Sequence, residues 1–340
     1  MPAATDAPKS KIVRWLRPRC VTIAWVIVLC AVLGELGRFH WALDLFSHFR
    51  LQYSAGLLVL IVAFCMLRRW KAAALVLAAL VWMLWPIAPY WLPQPPPASS
   101  PEGLRLLSFN VHTANERKSD IAAAIRKSGA DMVALYEVDP GWVQALEGLA
   151  PEYRITAADP REDNFGIVLL SRNVEHTAQI RDLGPAGVPS ILVQSTDPRF
   201  RGTLVFTHPV PPVGREGSEL RNSQLEAVAE FVRQTGTGNI LVAGDLNATP
   251  WSSALNPLWA AGLRDLRKGF GISPTWMRGM PWISIPIDHV LGGPEVEVHA
   301  FELLPEEGSD HTAISATISN RSKPEDSTAS TASPEGGHGL

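Results

Sequence analysis

The stretch that decides the fold is NILVAGDLNATPWS, residues 239–252. It opens with the apolar, β-prone run 240–243, which predicts a buried strand. Gly244 ends the run, and Asp245 and Asn247 then lie two positions apart, so an extended chain places both on one face. Two polar side chains on one face after a buried strand suit a site better than a core. Taken alone, a strand-ending Asx-turn explains them equally well.

Other apolar runs of the chain end in the same way, with a polar or titratable side chain at the strand end. These side chains are Asn110, Glu137, His208 and the adjacent pair Asp310 and His311. One polar residue at a strand end is usually a turn residue. Their repetition along the chain indicates a site assembled from several strand ends.

The first two of these residues belong to a predicted strand–helix–strand unit. Residues 104–111 and 131–138 are apolar runs with strand character, and 119–128 has the apolar spacing of a helix. A βαβ-like unit of this kind brings Asn110 and Glu137 to the same edge of a sheet.

Later segments extend the same alternation of strands and helices. Residues 191–194 and 202–207 predict an antiparallel strand pair, and 218–234 has a helical apolar stripe with Ser218 as its expected cap. Residues 313–318 alternate as a final strand would.

Six segments together resemble the endonuclease/exonuclease/phosphatase superfamily, which includes DNase I-like nucleases, inositol-phosphate phosphatases and sphingomyelinases. They are Ser108 to Val111, Tyr136 to Val138, Thr207–His208, Gly244 to Asn247, Ile287 to His289 and Ser309 to His311, in family order. The resemblance covers residues 102–320. It implies an α+β domain there, built as a four-layer α/β/β/α sandwich of two mixed sheets.

The resemblance also implies a metal site. Glu137 matches the family's metal-binding glutamate, Asn110 matches the asparagine beside it, and Asp310 is a further candidate ligand. Carboxylate and amide oxygens are hard ligands that suit Mg²⁺ or Mn²⁺. We therefore expect one of these cations as the cofactor.

The catalytic roles that the resemblance implies fall on five residues. Asp245 would orient or deprotonate the attacking water, and Asn247 would donate to the developing phosphorane oxygens. Asp288 would hold His311, and His208 would complete the group of donors around the phosphate. The division of acid–base work between Asp245 and the two histidines stays open.

The first 92 residues predict a membrane anchor of about three transmembrane helices. Apolar runs cover 21–36, 53–67 and 72–92, the second being only marginally long enough to span. A cleaved signal peptide and a buried helical hairpin are the alternatives. A Pro-rich linker, 93–101, and a disordered tail, 321–340, flank the domain.

The distribution of charge predicts the orientation. Residues 1–100 contain ten Lys/Arg and three Asp/Glu, a net +7, and the rest contains twenty and thirty, a net −10. The basic residues precede the first apolar run and fill the loop 68–71, so both belong in the cytoplasm. Three spans then place the domain outside the cell (inner or plasma) membrane.

The expected function is hydrolysis of a phosphate or pyrophosphate ester of a lipid-linked substrate at the outer face of that membrane. The apolar stretch with Trp276, Met277, Met280 and Trp282 could form a lip for such a substrate, or be plain core packing. A membrane-tethered endonuclease or exonuclease is disfavoured by the acidic charge. A non-catalytic binding domain is the third alternative.

Overall fold

The computed structural model describes residues 7–93, 103–272, 274–304 and 308–321. Its helices are α1 Ala7–Glu35, α2 Trp41–Ser47, α3 Arg50–Met66, α4 Trp70–Leu84, α5 Lys118–Ser128, α6 Pro140–Glu147, α7 Gly214–Thr235 and α8 Asn256–Ala260. Short 3₁₀ helices are Gly37–Phe39, Ala88–Tyr90 and Ser253–Leu255. The predicted linker and tail lie outside the described residues apart from Pro93 and Arg321, and remain predictions.

The strands all follow the helices α1 to α4. They are β1 Leu104–Asn110, β2 Met132–Tyr136, β3 Arg154–Asp159, β4 Ile167–Ser171, β5 His176–Asp182, β6 Pro189–Ser195, β7 Gly202–Thr207, β8 Ile240–Asp245, β9 Arg264–Asp265, β10 Asp288–Gly292, β11 Val296–Leu304 and β12 Ala313–Asn320. They form two six-stranded sheets, ordered β11-β12-β1-β2-β4-β3 and β5-β6-β7-β8-β10-β9. Each sheet is mixed, with one parallel pair, β1–β2 or β7–β8.

The two sheets pack face to face, and helices cover their outer faces. Leu106 and Leu169 of the first sheet share a buried core with Leu204 and Leu241 of the second. A second core lies between the first sheet and α5 and α6, and a third lies between the second sheet and α7 and α8. Burying one such large apolar side chain contributes about 1.5–3 kcal/mol. The predicted four-layer α/β/β/α sandwich is confirmed.

One helix boundary differs from the prediction. Helix α7 begins at Gly214, four residues before the predicted Ser218. Ser218 is not a cap, because its hydroxyl donates to the Gly214 carbonyl inside the helix, at 2.8 Å. A serine hydroxyl can satisfy either a cap or the preceding turn, so its presence does not locate the helix start.

The N-terminal helices satisfy the membrane prediction in part. Within α1, residues 13–35 are long and apolar enough to cross a membrane. Helices α2 and α3 meet that test only as a pair bent by 54°, and α4, with 15 residues, is shorter than a typical span. An N-terminal membrane anchor is consistent with α1, while three spans stay a prediction.

The helices α1, α3 and α4 pack together as a bundle. Ala31, Leu57 and Val76 belong to its shared interior. Arg17 and Arg69 line one groove at one end of the bundle. Helix α1 runs from this end to the opposite end of the bundle. At that opposite end, α2 and the 3₁₀ helix Ala88–Tyr90 contact the sandwich.

Candidate active site

The strand topology brings the predicted site residues to one end of the sandwich. Asn110 and Glu137 lie at the carboxyl ends of the parallel pair β1–β2, and His208 and Asp245 lie at those of β7–β8. Parallel neighbours end at the same sheet edge, so each sheet contributes two of these residues.

Two antiparallel strands bring the remaining catalytic residues to the same end. Asp288 opens β10 directly opposite Asp245, the last residue of β8. His311 precedes β12, which runs antiparallel to β1 and therefore starts where β1 ends. Strand direction thus explains why residues so distant in the sequence meet.

A close approach between β7 and β8 brings His208 next to Asp245. The imidazole Nε2 of His208 lies 3.5 Å from Oδ2 of Asp245. A Cβ on Gly244 would lie 1.8 Å from the carbonyl oxygen of Thr207, so only glycine allows the strand ends this close. This close approach explains why a glycine stands at position 244, directly before Asp245.

His311 lies between two buried carboxylates. Its Nδ1 is 2.9 Å from Asp288 and its Nε2 is 3.5 Å from Asp245. Burial alone would lower the pKa of His311, but the carboxylates of Asp288 and Asp245 outweigh it and raise that pKa to about 10. The ring is therefore an imidazolium at neutral pH.

The two carboxylates differ in their own protonation. Burial raises the pKa of Asp245 to about 6, although His311 and His208 act in the opposite direction. For Asp288 burial also acts to raise the pKa, but the His311 cation and its hydrogen bond prevail and lower it. Asp245 is the group closer to accepting and releasing a proton near neutral pH.

Asn110 links the two halves of the site. Its Nδ2 donates to Oε1 of Glu137 at 2.8 Å and to Oδ2 of Asp245 at 3.2 Å. Its Oδ1 accepts from the amide of His112 at 3.0 Å. In this arrangement the Asn110 amide nitrogen orients the two carboxylates, while its oxygen is hydrogen-bonded to the backbone. Asn110 as a direct metal ligand stays a prediction.

Glu137 is a half-buried acidic group in the wall of the site's cavity. It follows β2 in the left-handed region, with φ of 60°, and its Oε2 accepts from the amide of Thr113 at 3.3 Å. Asp310 lines the same cavity, with a side chain 40% exposed and its Oδ2 accepting from the Trp276 indole at 2.9 Å. An all-oxygen wall of this kind fits Mg²⁺ or Mn²⁺.

A second acidic group satisfies the distances of a metal site. The ligand atoms of Asp245, Asp288 and His311 lie within 4.8 Å of one another. The His311 imidazolium already occupies the space between these carboxylates and offsets one of their two negative charges. A cation is better accommodated at the open wall with Glu137 and Asp310.

The site residues open into a cavity of about 290 Å³. Its walls include six of the predicted residues: Glu137, His208, Asp245, Asn247, Asp310 and His311. Asp288 lies behind His311, where it can act only through the ring. Asn247 donates from Nδ2 to the Pro209 carbonyl at 2.9 Å, which leaves its second N–H for a ligand.

The sequence reasoning missed two side chains of this cavity, Asp163 and Phe165. The Phe165 ring lies 5.6 Å from that of His208, centroid to centroid, and packs against it. No periodic pattern distinguishes Phe165 from core residues. The adjacent Asn164, with φ of 66°, also lines the cavity. A larger groove of about 810 Å³ at the opposite end includes Glu175, Arg201 and Asn239 but none of the predicted residues.

Comparisons with known structures agree on the fold. D. rerio TDP2 complexed with a single-strand DNA product is 20% identical over 64% of this chain and 100% of that chain, with a TM-score of 0.53. An endonuclease/exonuclease/phosphatase from Bacteroides vulgatus is 20% identical over 64% and 98%, with a TM-score of 0.51. The mannosyl-6-phosphatase of Bacteroides thetaiotaomicron is 17% identical over 64% and 99%, with a TM-score of 0.50.

The family comparison matches the sequence itself. None of the curated proteins matches the chain. The model of the Endonuclease/Exonuclease/phosphatase family matches residues 107–311, which include every residue of the site described above. The members of this family are metal-dependent phosphoester hydrolases. The chain therefore belongs to the endonuclease/exonuclease/phosphatase family.

Proposed function

We propose that this protein is a Mg²⁺- or Mn²⁺-dependent phosphoric ester hydrolase at the outer face of the cell membrane. Its substrate would be a phosphate or pyrophosphate ester of a lipid. The observation that carries the hydrolase proposal is the buried His311 cation between Asp288 and Asp245, in the wall of the same cavity as the Glu137 carboxylate.

The residues of the site divide the reaction between proton transfer and charge stabilisation. Glu137, with Asp310, would hold the divalent cation, which supplies positive charge to the phosphate oxygens. Asp245 is the base for the attacking water, since its pKa of about 6 leaves it mostly ionised at neutral pH. His311 and Asn247 face the phosphate as donors, positioned before the bond to phosphorus forms.

The mouth of the cavity supports a lipid-linked substrate. Trp276 lines the cavity, and the same loop continues to Met280, Trp282 and Ile283, with the Trp282 side chain 73% exposed. At the end of this loop the Ser284 carbonyl accepts from Nε2 of Gln52, at the start of α3, at 2.8 Å. An exposed apolar loop that joins the cavity to an apolar helix suits the membrane interface.

A second contact holds the sandwich against the helical bundle. The amides of Gly269 and Gly271 donate to the carbonyls of Pro89 and Tyr90, at 3.2 and 2.7 Å. The Tyr90 hydroxyl donates to Asp265 at 2.9 Å. Gly271 lies five residues before Trp276, so these bonds attach the segment that leads into the apolar loop to the helical bundle, which supports a cavity mouth close to the bilayer.

The helical bundle supports an outward-facing domain. Arg17 and Arg69 lie at the end of the bundle away from the sandwich, as the preference of basic residues for the cytoplasm requires. Many apolar side chains on the outer faces of all three helices are exposed, among them Trp25, Val59 and Leu75. Such a surface suits lipid better than water.

We predict opposite locations for two reporter insertions. A reporter fused after residue 100 should be active only outside the cytoplasm, and one inserted in the loop at Arg69 should be active only inside it. Enzymatic reporters specific for each compartment measure this directly. A cytoplasmic signal after residue 100 would refute the orientation, and an external signal at Arg69 would refute three spans.

Hydrolysis should require a divalent cation bound by Glu137. We expect the full chain in detergent to hydrolyse bis-p-nitrophenyl phosphate with Mg²⁺ or Mn²⁺ and to lose activity in excess chelator. Glu137→Gln should raise the cation concentration for half-maximal rate by about tenfold or more. The exposed Glu302→Gln is the matched control and should change nothing. Full activity in chelator would contradict the metal requirement.

Asp288 and His311 should act as one unit. Because Asp288 contacts His311 and does not reach the cavity, each of Asp288→Asn and His311→Gln should lower the single-turnover rate by roughly 10². The double variant should lose little more than the worse single variant. Additive losses, or an Asp288→Asn enzyme of normal rate, would show that His311 acts without its partner.

The apolar loop should favour lipid substrates specifically. Trp282→Ser should lower the ratio of turnover on a lipid phosphate in vesicles to turnover on bis-p-nitrophenyl phosphate by about tenfold, since it removes a large apolar contact. The exposed Ile180→Ser, on the edge strand β5, is the control. Single-stranded DNA is assayed as a third substrate. An unchanged ratio for Trp282→Ser, or DNA as the preferred substrate, would overturn the lipid proposal.

A further inference from the structure

One carboxylate of the N-terminal helices is buried inside the contact with the catalytic sandwich. Asp44 in α2 is only 2% exposed. Its Oδ1 accepts from the amide and the hydroxyl of Ser253, both at 2.8 Å, and its Oδ2 accepts from the Ser252 hydroxyl at 2.7 Å. A buried carboxylate with this many donors is held in one position.

The fourth hydrogen-bond donor to Asp44 is the side chain of an equally buried arginine. Nη2 of Arg221, in α7, lies 3.2 Å from Oδ2 of Asp44, and Arg221 is 1% exposed. Its Nη1 donates to the backbone carbonyl of Asn247 at 2.9 Å. Two hydrogen bonds in series therefore connect α2, through Arg221, to Asn247, two residues after Asp245.

The bonds from Ser252 and Ser253 to Asp44 and from Arg221 to Asn247 all involve one segment, residues 245–253, called the catalytic loop below. His48, next to α2, makes a further contact through its Nδ1 with the Thr249 hydroxyl at 3.1 Å. The sandwich holds the loop from its other side, where Nε2 of His289 lies 2.7 Å from the Ala248 carbonyl. The catalytic loop is thus clamped between the sandwich and the membrane-side helix.

The loop needs such a clamp because its backbone is unfavourable. Asn247 has φ of 50°, in the left-handed region, which is sparsely populated by residues with a Cβ although Asn tolerates it better than most. Its amide donates to Oδ1 of Asp245 at 3.0 Å, so the same backbone conformation also sets the catalytic carboxylate. A conformation of this kind persists only where surrounding contacts hold it.

We propose that Asp44 is a positioning residue for the reaction. Through Arg221 and the two serines it fixes the loop that presents Asp245 and Asn247, so that the membrane-side helices complete the active site of the sandwich. Asp44 does not line the cavity and has no direct contact with the reacting atoms. The kinetic part of this proposal rests on the hydrolase function proposed above.

The test compares variants of the full chain in detergent. Asp44→Asn keeps the shape of the side chain but leaves the Arg221 guanidinium without its anionic partner. We expect its kcat on bis-p-nitrophenyl phosphate to fall by about tenfold or more, with KM within threefold, because small misplacement of reacting groups is costly. Hydrogen exchange of the amides in 245–253 should become faster, while that of β2 stays unchanged.

Two further variants separate positioning from stability. Asp44→Asn combined with Arg221→Met removes the unpaired charge, so the midpoint of thermal unfolding should recover towards wild type. Its kcat should stay low, because the donor to the Asn247 carbonyl is absent. Glu35→Gln is the matched control, since Glu35 pairs with Arg50 within the helical bundle and its kcat should remain normal.

Each outcome decides a different statement. A normal kcat for Asp44→Asn, or a double variant that recovers kcat along with its unfolding midpoint, would reduce Asp44 to a structural residue and overturn the proposal. Unchanged exchange in 245–253 would overturn it as well. A wild-type protein without hydrolase activity would refute the proposed function, and the exchange measurement would still show whether Asp44 holds the loop.

Discussion

The site depends on one buried cation, the imidazolium of His311, placed between two buried carboxylates. An isolated charge of either sign would be strongly unfavourable at this depth, and each member of the group offsets the burial of the others. With both carboxylates ionised the group carries two negative charges and one positive one. The His311 cation lowers the pKa of Asp288, whereas burial raises the pKa of Asp245, so Asp245 is the member that gains a proton first as the pH falls. Asp288 supplies the counter-charge from behind, so the reactive carboxylate can face the cavity.

This electrostatic group constrains the backbone around it. Three strand ends must meet: the end of β8 with Asp245, the start of β10 with Asp288 and the start of β12, which His311 precedes. Gly244 lets the ends of β7 and β8 approach, and Asn247, three residues later, adopts a left-handed φ of 50°. The contacts of Arg221 and Asp44 then hold the loop that results. Charge, strand packing and the contact with the N-terminal helices thus act on one short segment.

The same contact bears on the proposed location of the enzyme. The sandwich does not simply follow the helical bundle along the chain; it is hydrogen-bonded to it through Gln52, Tyr90 and Asp44. With the helical bundle in a bilayer, as proposed, this contact would give the cavity mouth a defined direction relative to the membrane. An enzyme that takes a lipid-linked phosphate needs such an orientation, because its substrate can move only within the membrane plane. A phosphate ester in solution imposes no such requirement.

Local patterns in the sequence predicted the strands and the polar residues at their ends, and the resemblance of six segments to the endonuclease/exonuclease/phosphatase superfamily implied the class of fold and the roles of the candidate site residues. Apolar strands that end in polar residues require only short-range information, so Asp245, His208 and Glu137 could be assigned to one cavity before any coordinates. The start of α7 could not be predicted from the sequence, because a serine hydroxyl such as that of Ser218 can either cap a helix or bond to the preceding turn.

Only the tertiary structure decided which groups touch. The direction of the Asn110 amide, the packing of Phe165 on His208 and the pairing of Asp44 with Arg221 all depend on contacts between segments far apart in the chain. Periodicity reports which face of a strand or helix is apolar, because that is a property of neighbouring residues. It contains no information about the partner of a buried charge, which is set by how the layers pack.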